Sequence, residues 1–135
     1  MPHVSVFYTS NLDAESDFSS LCRALADALL SITDEQGGRP FPVGGVRVLA
    51  YPAAHFAVSD GHRDDLAFCW VHLRMGRGRS EATQQAAGQA LTSAAEEHFA
   101  PLLARRPLGL TVQIDEGREV FSAKSGNLHA LFTGS

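Results

Sequence analysis

Cysteine is scarce in this chain: two among 135 residues, Cys22 and Cys69, with no CxxC pair and no metal-ligand spacing. Neither a disulfide framework nor a structural zinc site is indicated, and both thiols lie in segments that read as reduced core. Long apolar runs are missing too. None approaches the roughly 20 residues of a membrane-spanning helix, and no basic stretch precedes an apolar one at the N-terminus. A cytoplasmic chain with no membrane partner is expected. Positive charge is not in excess, since 11 Lys and Arg stand against 15 Asp and Glu for a net charge of −4. Nothing electrostatic therefore favours nucleic acid, and the expected partner is a small molecule. Common catalytic signatures are absent as well. His3, His55, His62, His72, His98 and His129 form no HExxH pattern, there is no Walker loop, and no nucleophile elbow supports Ser-His-Asp chemistry.

What is present reads as an ordered α+β pattern, expected to form one domain over 1–135. Val4 to Thr9 is β-prone. Ser10 to Asp13 offers helix caps, and Phe18, Leu21, Cys22, Leu25, Leu29 and Ile32 then keep helical spacing, which predicts a helix over about 14–33. Asp34 to Pro40 is a loop. A strand is predicted over about 46–51, and a short hairpin over 53–61 around Ser59-Asp60-Gly61. Leu66 to Met75 is almost continuously apolar, as in a central strand covered on both faces. A second helix is predicted over about 80–99, with Ser80 as its N-cap, Pro101 kinking or ending it and its last turn falling between 99 and 105. Leu108 to Asp115 alternates as a half-buried strand, broken by Glu116 to Glu119, and the tail from Val120 to Phe132 carries Phe121, Leu128, Leu131 and Phe132 toward a neighbouring surface. Strand, helix, strand thus occurs twice. Two β-α-β units make a four-stranded sheet with both helices on one face, and neighbouring subunits are expected to cover the other.

Three residues stand out for chemistry. Pro2 lies at the start of the first strand, and once Met1 is removed its nitrogen becomes a secondary amine. Inside a chain that nitrogen has neither proton nor basicity, so processing decides whether it can act. An α-amino group titrates near pKa 8, so roughly a tenth is free base at pH 7; desolvation and neighbouring cations raise that fraction toward what a general base needs. Arg47 shares its strand face with Leu49 and Tyr51, where a cation calls for an anionic partner. Arg79 lies in Gly76-Arg77-Gly78-Arg79-Ser80, between a strand and a helix N-terminus, and offers a planar fork suited to a carboxylate. Read singly, each stretch is also what a start codon followed by proline, a half-exposed ion pair or a tight turn would give.

The combination is more specific. Met1-Pro2-His3, Phe41-Pro42-Val43-Gly44-Gly45-Val46-Arg47, Gly78-Arg79-Ser80, Gln84-Gln85-Ala86-Ala87-Gly88, His98-Phe99 and Asn127 to Phe132 together resemble the 5-carboxymethyl-2-hydroxymuconate isomerases of the tautomerase superfamily. The resemblance implies a homotrimer of β-α-β repeats with a pocket lined by more than one subunit. It implies Pro2 as the catalytic acid and base, with Arg47 and Arg79 binding and polarising a dicarboxylate. The reaction implied is a proton shift in an unsaturated 2-hydroxy or 2-oxo diacid within homoprotocatechuate breakdown, without metal or organic cofactor. Phe7, Phe68 and Trp70 are candidates for the apolar wall around the amine. The loop 34–39 is longer than expected of the family, and 51–63 matches it weakly. The alternatives are a hydratase or dehalogenase of the same superfamily, or a non-catalytic trimer that binds small acids and retains Met1.

Overall fold

The structure is a computed structural model that describes residues 2–132. Four strands form one mixed sheet in the order β2-β1-β3-β4: β1 (His3–Thr9), β2 (Arg47–Ala53), β3 (Ala67–Gly76) and β4 (Leu108–Gly117). The chain crosses over through α1 (Phe18–Leu30) between the parallel pair β1 and β2, and through α2 (Glu81–Leu103) between the parallel pair β3 and β4. The two units join through the antiparallel pairing of β1 with β3. This is the sheet and helix arrangement that the doubled pattern predicts.

Strand alternation assigns the faces. Val4, Val6 and Tyr8 of β1 point the same way as Cys69, Val71 and Leu73 of β3, which lie opposite them, and all six are buried. They meet Leu21, Leu25 and Leu29 of α1 and Ala87, Leu91, Ala95 and Phe99 of α2 in one apolar cluster. Each large side chain fully withdrawn from water there contributes about 1.5–3 kcal/mol. The alanines of α2 let that helix approach the sheet closely.

Several boundaries differ from the predicted ones, each for a local reason. Ser10–Leu12 forms a 3-10 turn and does not cap the first helix; Asp17 does, its carboxylate accepting the Ser20 N–H at 3.1 Å. Ser80 caps α2 as predicted, accepting from the Thr83 N–H at 3.2 Å. Pro101 lies inside α2, which runs on to Leu103, within the range 99–105 expected for its last turn, because buried Leu102 holds that turn on the core. Pro52 lies within β2, an edge strand bonded only to β1, where a missing N–H is tolerated. The predicted hairpin is absent: residues 54–66 contain no strand, and Ser59 to Gly61 instead turns on the positive φ of Ser59 and Gly61. β3 is fully covered on one face only, its burial alternating along the strand, so Phe68 and Trp70 stay partly exposed.

Candidate active site

The topology brings three segments to one end of the sheet. β1 and β2 run parallel, so their N-terminal ends lie side by side, with His3 opposite Arg47. β3 runs against β1, so its C-terminal end arrives at the same place, with Arg74 opposite His3. Pro2 therefore lies beside the start of β2 and near the loop from Gly76 to Ser80 that carries Arg79. The proline is buried. Alternation puts it on the helix-covered face with Val4, and one further step of the register sets it opposite Met75, which is 2% exposed. Met1, whose removal the chemistry of Pro2 requires, lies outside the described residues.

The apolar wall expected from Phe7, Phe68 and Trp70 is not near Pro2 within one chain. Phe7 and Trp70 pair on the open face of the sheet with ring centroids 5.7 Å apart. Phe7 is five residues along β1, roughly 17 Å from Pro2, and Phe68 lies beyond it. Val4 and Met75 are the apolar neighbours that the register provides at the proline.

Arg79 is aimed by the loop that precedes β2. Gly78 takes a φ of +123°, a turn that favours glycine, and brings the arginine back over the core. Its Nε–H donates to the Pro40 carbonyl at 3.0 Å, and its guanidinium carbon lies 4.7 Å from the centre of the Phe41 ring. Phe41 is itself completely buried. The terminal amino groups of Arg79 have no acceptor among the described residues, so the fork remains open to an anion. Burial pulls its pKa below the ordinary arginine value, which leaves it a cation at neutral pH. The long loop is tied to the same place, because the Ser80 hydroxyl donates to Glu35 at 2.6 Å. That bond holds the Glu35 carboxyl below its usual pKa.

Arg47 is half-buried at the first position of β2, on the open face that also carries Leu49 and Tyr51. It donates to the Gly45 carbonyl at 3.4 Å and has no ion pair among the described residues. It lines two cavities. One, of about 840 Å³, runs between α1 and β2; the other, of about 210 Å³, is closed by the tail through Lys124, Ser125, Gly126, Leu128 and His129. Neither contains Pro2 or Arg79 in its lining. The tail can lie there because residue 44 is glycine: a Cβ on Gly44 would stand 2.9 Å from His129 Nδ1 and 3.2 Å from its Cα.

Reading the sequence missed Phe41 and Pro40 as the supports of Arg79, and missed Lys124 altogether. An aromatic residue between two prolines in a polar loop was the available signal for the first. For the second it was that Lys124 is the chain's single lysine.

Residues 2–132 match the family of 5-carboxymethyl-2-hydroxymuconate isomerases. The chain is 33% identical over 134 residues to a 5-carboxymethyl-2-hydroxymuconate Delta-isomerase of Escherichia coli, covering 98% of this chain and 99% of that one. A crystal structure of a 5-carboxymethyl-2-hydroxymuconate delta-isomerase, 50% identical, superposes with a TM-score of 0.93 over 100% of this chain and 95% of the other. A 5-carboxymethyl-2-hydroxymuconate isomerase from Deinococcus radiodurans R1, 34% identical, gives 0.84 over 97% and 93%. These matches span nearly the whole chain, and the chain belongs to the 5-carboxymethyl-2-hydroxymuconate isomerase family.

Proposed function

We propose that this protein is a cofactor-independent isomerase that moves a proton within an unsaturated 2-hydroxy or 2-oxo carboxylic acid of the 5-carboxymethyl-2-hydroxymuconate type. Beyond family membership, one observation supports the reading: the register of β1 with both neighbours gathers Pro2, Arg47 and the Arg79 loop at a single end of the sheet. With Met1 removed, the Pro2 amine takes the proton of the 2-hydroxyl group. The charge left behind spreads over the oxygen and alternate carbons of the conjugated chain. The protonated amine then returns the proton to one of those carbons, giving the 2-oxo isomer, so nothing is consumed and the steps run equally in reverse. A guanidinium beside the substrate stabilises the dienolate because its charge develops only as the proton leaves. Arg47 and Arg79, both without carboxylate partners among the described residues, are the groups assigned to that role and to holding carboxylates. A cytoplasmic place in the breakdown of aromatic acids such as homoprotocatechuate fits this chemistry.

Following the absorbance of the conjugated dienol tests the assignment. Arg47→Ala and Arg79→Ala are expected to lower kcat/KM by about ten- to a hundredfold each, the worth of a charge-assisted hydrogen bond. Undiminished turnover in both variants would remove the arginines from the mechanism.

Assembly as a homotrimer belongs to the same proposal. Its support is apolar surface left bare by one chain: Leu49 is 56% exposed and Tyr51 46% on the open face, and Phe121 is 86% exposed in the tail. Large exposed apolar patches mark surfaces that other proteins cover. Sedimentation equilibrium is expected to give the mass of three chains; a monomer at micromolar concentration would contradict it.

A further inference from the structure

The compound that names the family carries three carboxylates by its nomenclature: the two ends of muconate and the carboxymethyl branch at carbon 5. That is one more than the diacid for which Arg47 and Arg79 suffice. The cavity of about 210 Å³ beside Arg47 has the chemistry of the missing group. Its lining holds Arg47, Lys124 and His129, the Ser125 hydroxyl and no acidic residue. Lys124 has no ion pair or hydrogen bond among the described residues, and Arg47 has only its long bond to Gly45. Cationic donors gathered around a void with no carboxylate among its lining residues leave their charge for a ligand. The size limits what that ligand is. Sites for whole small molecules run from roughly 300 to 1,000 Å³, so this one takes an end of a larger substrate.

We propose that this cavity is a carboxylate subsite, and that Lys124 is a substrate-binding residue which selects acids bearing a carboxylate branch. The inference rests on the isomerase reading for the identity of the substrate, but not for the existence of the subsite. Two geometric features support it. The register pairs Arg47 with His3, the residue after Pro2, so an acid group held between Arg47 and Lys124 is anchored on the open face at the same end of the sheet as Pro2. The tail reaches the turn Val43–Gly45 through its 3-10 turn His129–Phe132, and this docking sets Lys124 against the start of β2.

A matched pair of unreactive acids tests the subsite apart from catalysis. Propane-1,2,3-tricarboxylate is glutarate with one added branch carboxylate. In calorimetric titrations of the full-length protein, Lys124→Ala should weaken binding of the tricarboxylate about tenfold and that of glutarate less than about twofold. Lys124→Arg should restore most of the loss. Equal weakening of both acids, or no weakening of either, overturns the subsite. Turnover of 5-carboxymethyl-2-hydroxymuconate by the unmodified protein is measured on the same preparation. Its absence counts against the isomerase reading alone, because the two titrations still decide for or against Lys124.

Discussion

Arg79 shows how a cation can be oriented without being neutralised. A carbonyl takes its Nε–H and an aromatic ring lies against its face, so two directions of the side chain are fixed while its charge stays available. A carboxylate in either place would have cancelled that charge. The ring contact contributes about 0.5–2 kcal/mol at a half-buried site, enough to bias the side chain toward one arrangement. The positions of Pro2, Arg47 and Arg79 at element boundaries were legible in the sequence, whereas the roles proposed for them came from the family resemblance of the combined segments and not from any one stretch. Phe41 was not, because its partner lies 38 positions away and only the folded loop joins them. His98 gives a pH prediction at this scale. It bonds the Ser16 hydroxyl at 2.8 Å, and burial lowers its pKa below the ordinary 6.5. As pH falls through about 6.5 the unfolded chain takes up the proton first, so stability is fully present above that pH and declines below it until the folded imidazole also protonates. Urea midpoints measured between pH 7.5 and 5.5 should therefore fall less in His98→Gln than in the unmodified protein. Parallel declines would show that His98 contributes nothing.

Among the elements, the helices and strands with strong periodicity were readable, and what was missed came from contacts distant in sequence. Phe18, Leu21, Leu25 and Leu29 repeat at the spacing of a helix face and do form one. The start of that helix was misread because Ser10 to Asp13 offers caps as good as Asp17, and only the 3-10 turn at Ser10–Leu12 decides between them. The continuous apolar run of β3 misled in the opposite direction: it implied cover on two faces, whereas one chain covers one. The tail was legible only as apolar residues without a periodic pattern. Its docking depends on Gly44, where an added Cβ meets the backbone of His129 as well as its ring. Gly44→Ala should cost about 1–3 kcal/mol through this overpacking. It should also loosen the tail, which limited trypsin digestion would report as faster cleavage after Lys124. Cleavage at the original rate would mean that the tail is held elsewhere.

At the scale of the molecule, one chain leaves its sheet half covered. The open face carries Phe7, Leu49, Tyr51, Trp70 and His72, and the Trp70 indole N–H there is out of water without an acceptor among the described residues. A neighbouring chain that covered this face would bury the aromatics and could supply the acceptor, which is why assembly and site belong to one proposal. The doubled β-α-β order made the sheet and its helix-covered side legible from the sequence. That Pro2, Arg47 and the Arg79 loop share one end of the sheet became visible only with the strand register. The central claim is that the Pro2 nitrogen is the base, and it depends on whether the chain starts at that residue. Intact mass and dienol turnover, measured together on protein with a natural N-terminus and on a preparation that retains Met1, test it most directly. The account predicts turnover only from the chain that has lost Met1. Equal turnover by the chain that retains it would contradict the mechanism, because a proline nitrogen inside a peptide bond has no basicity to offer.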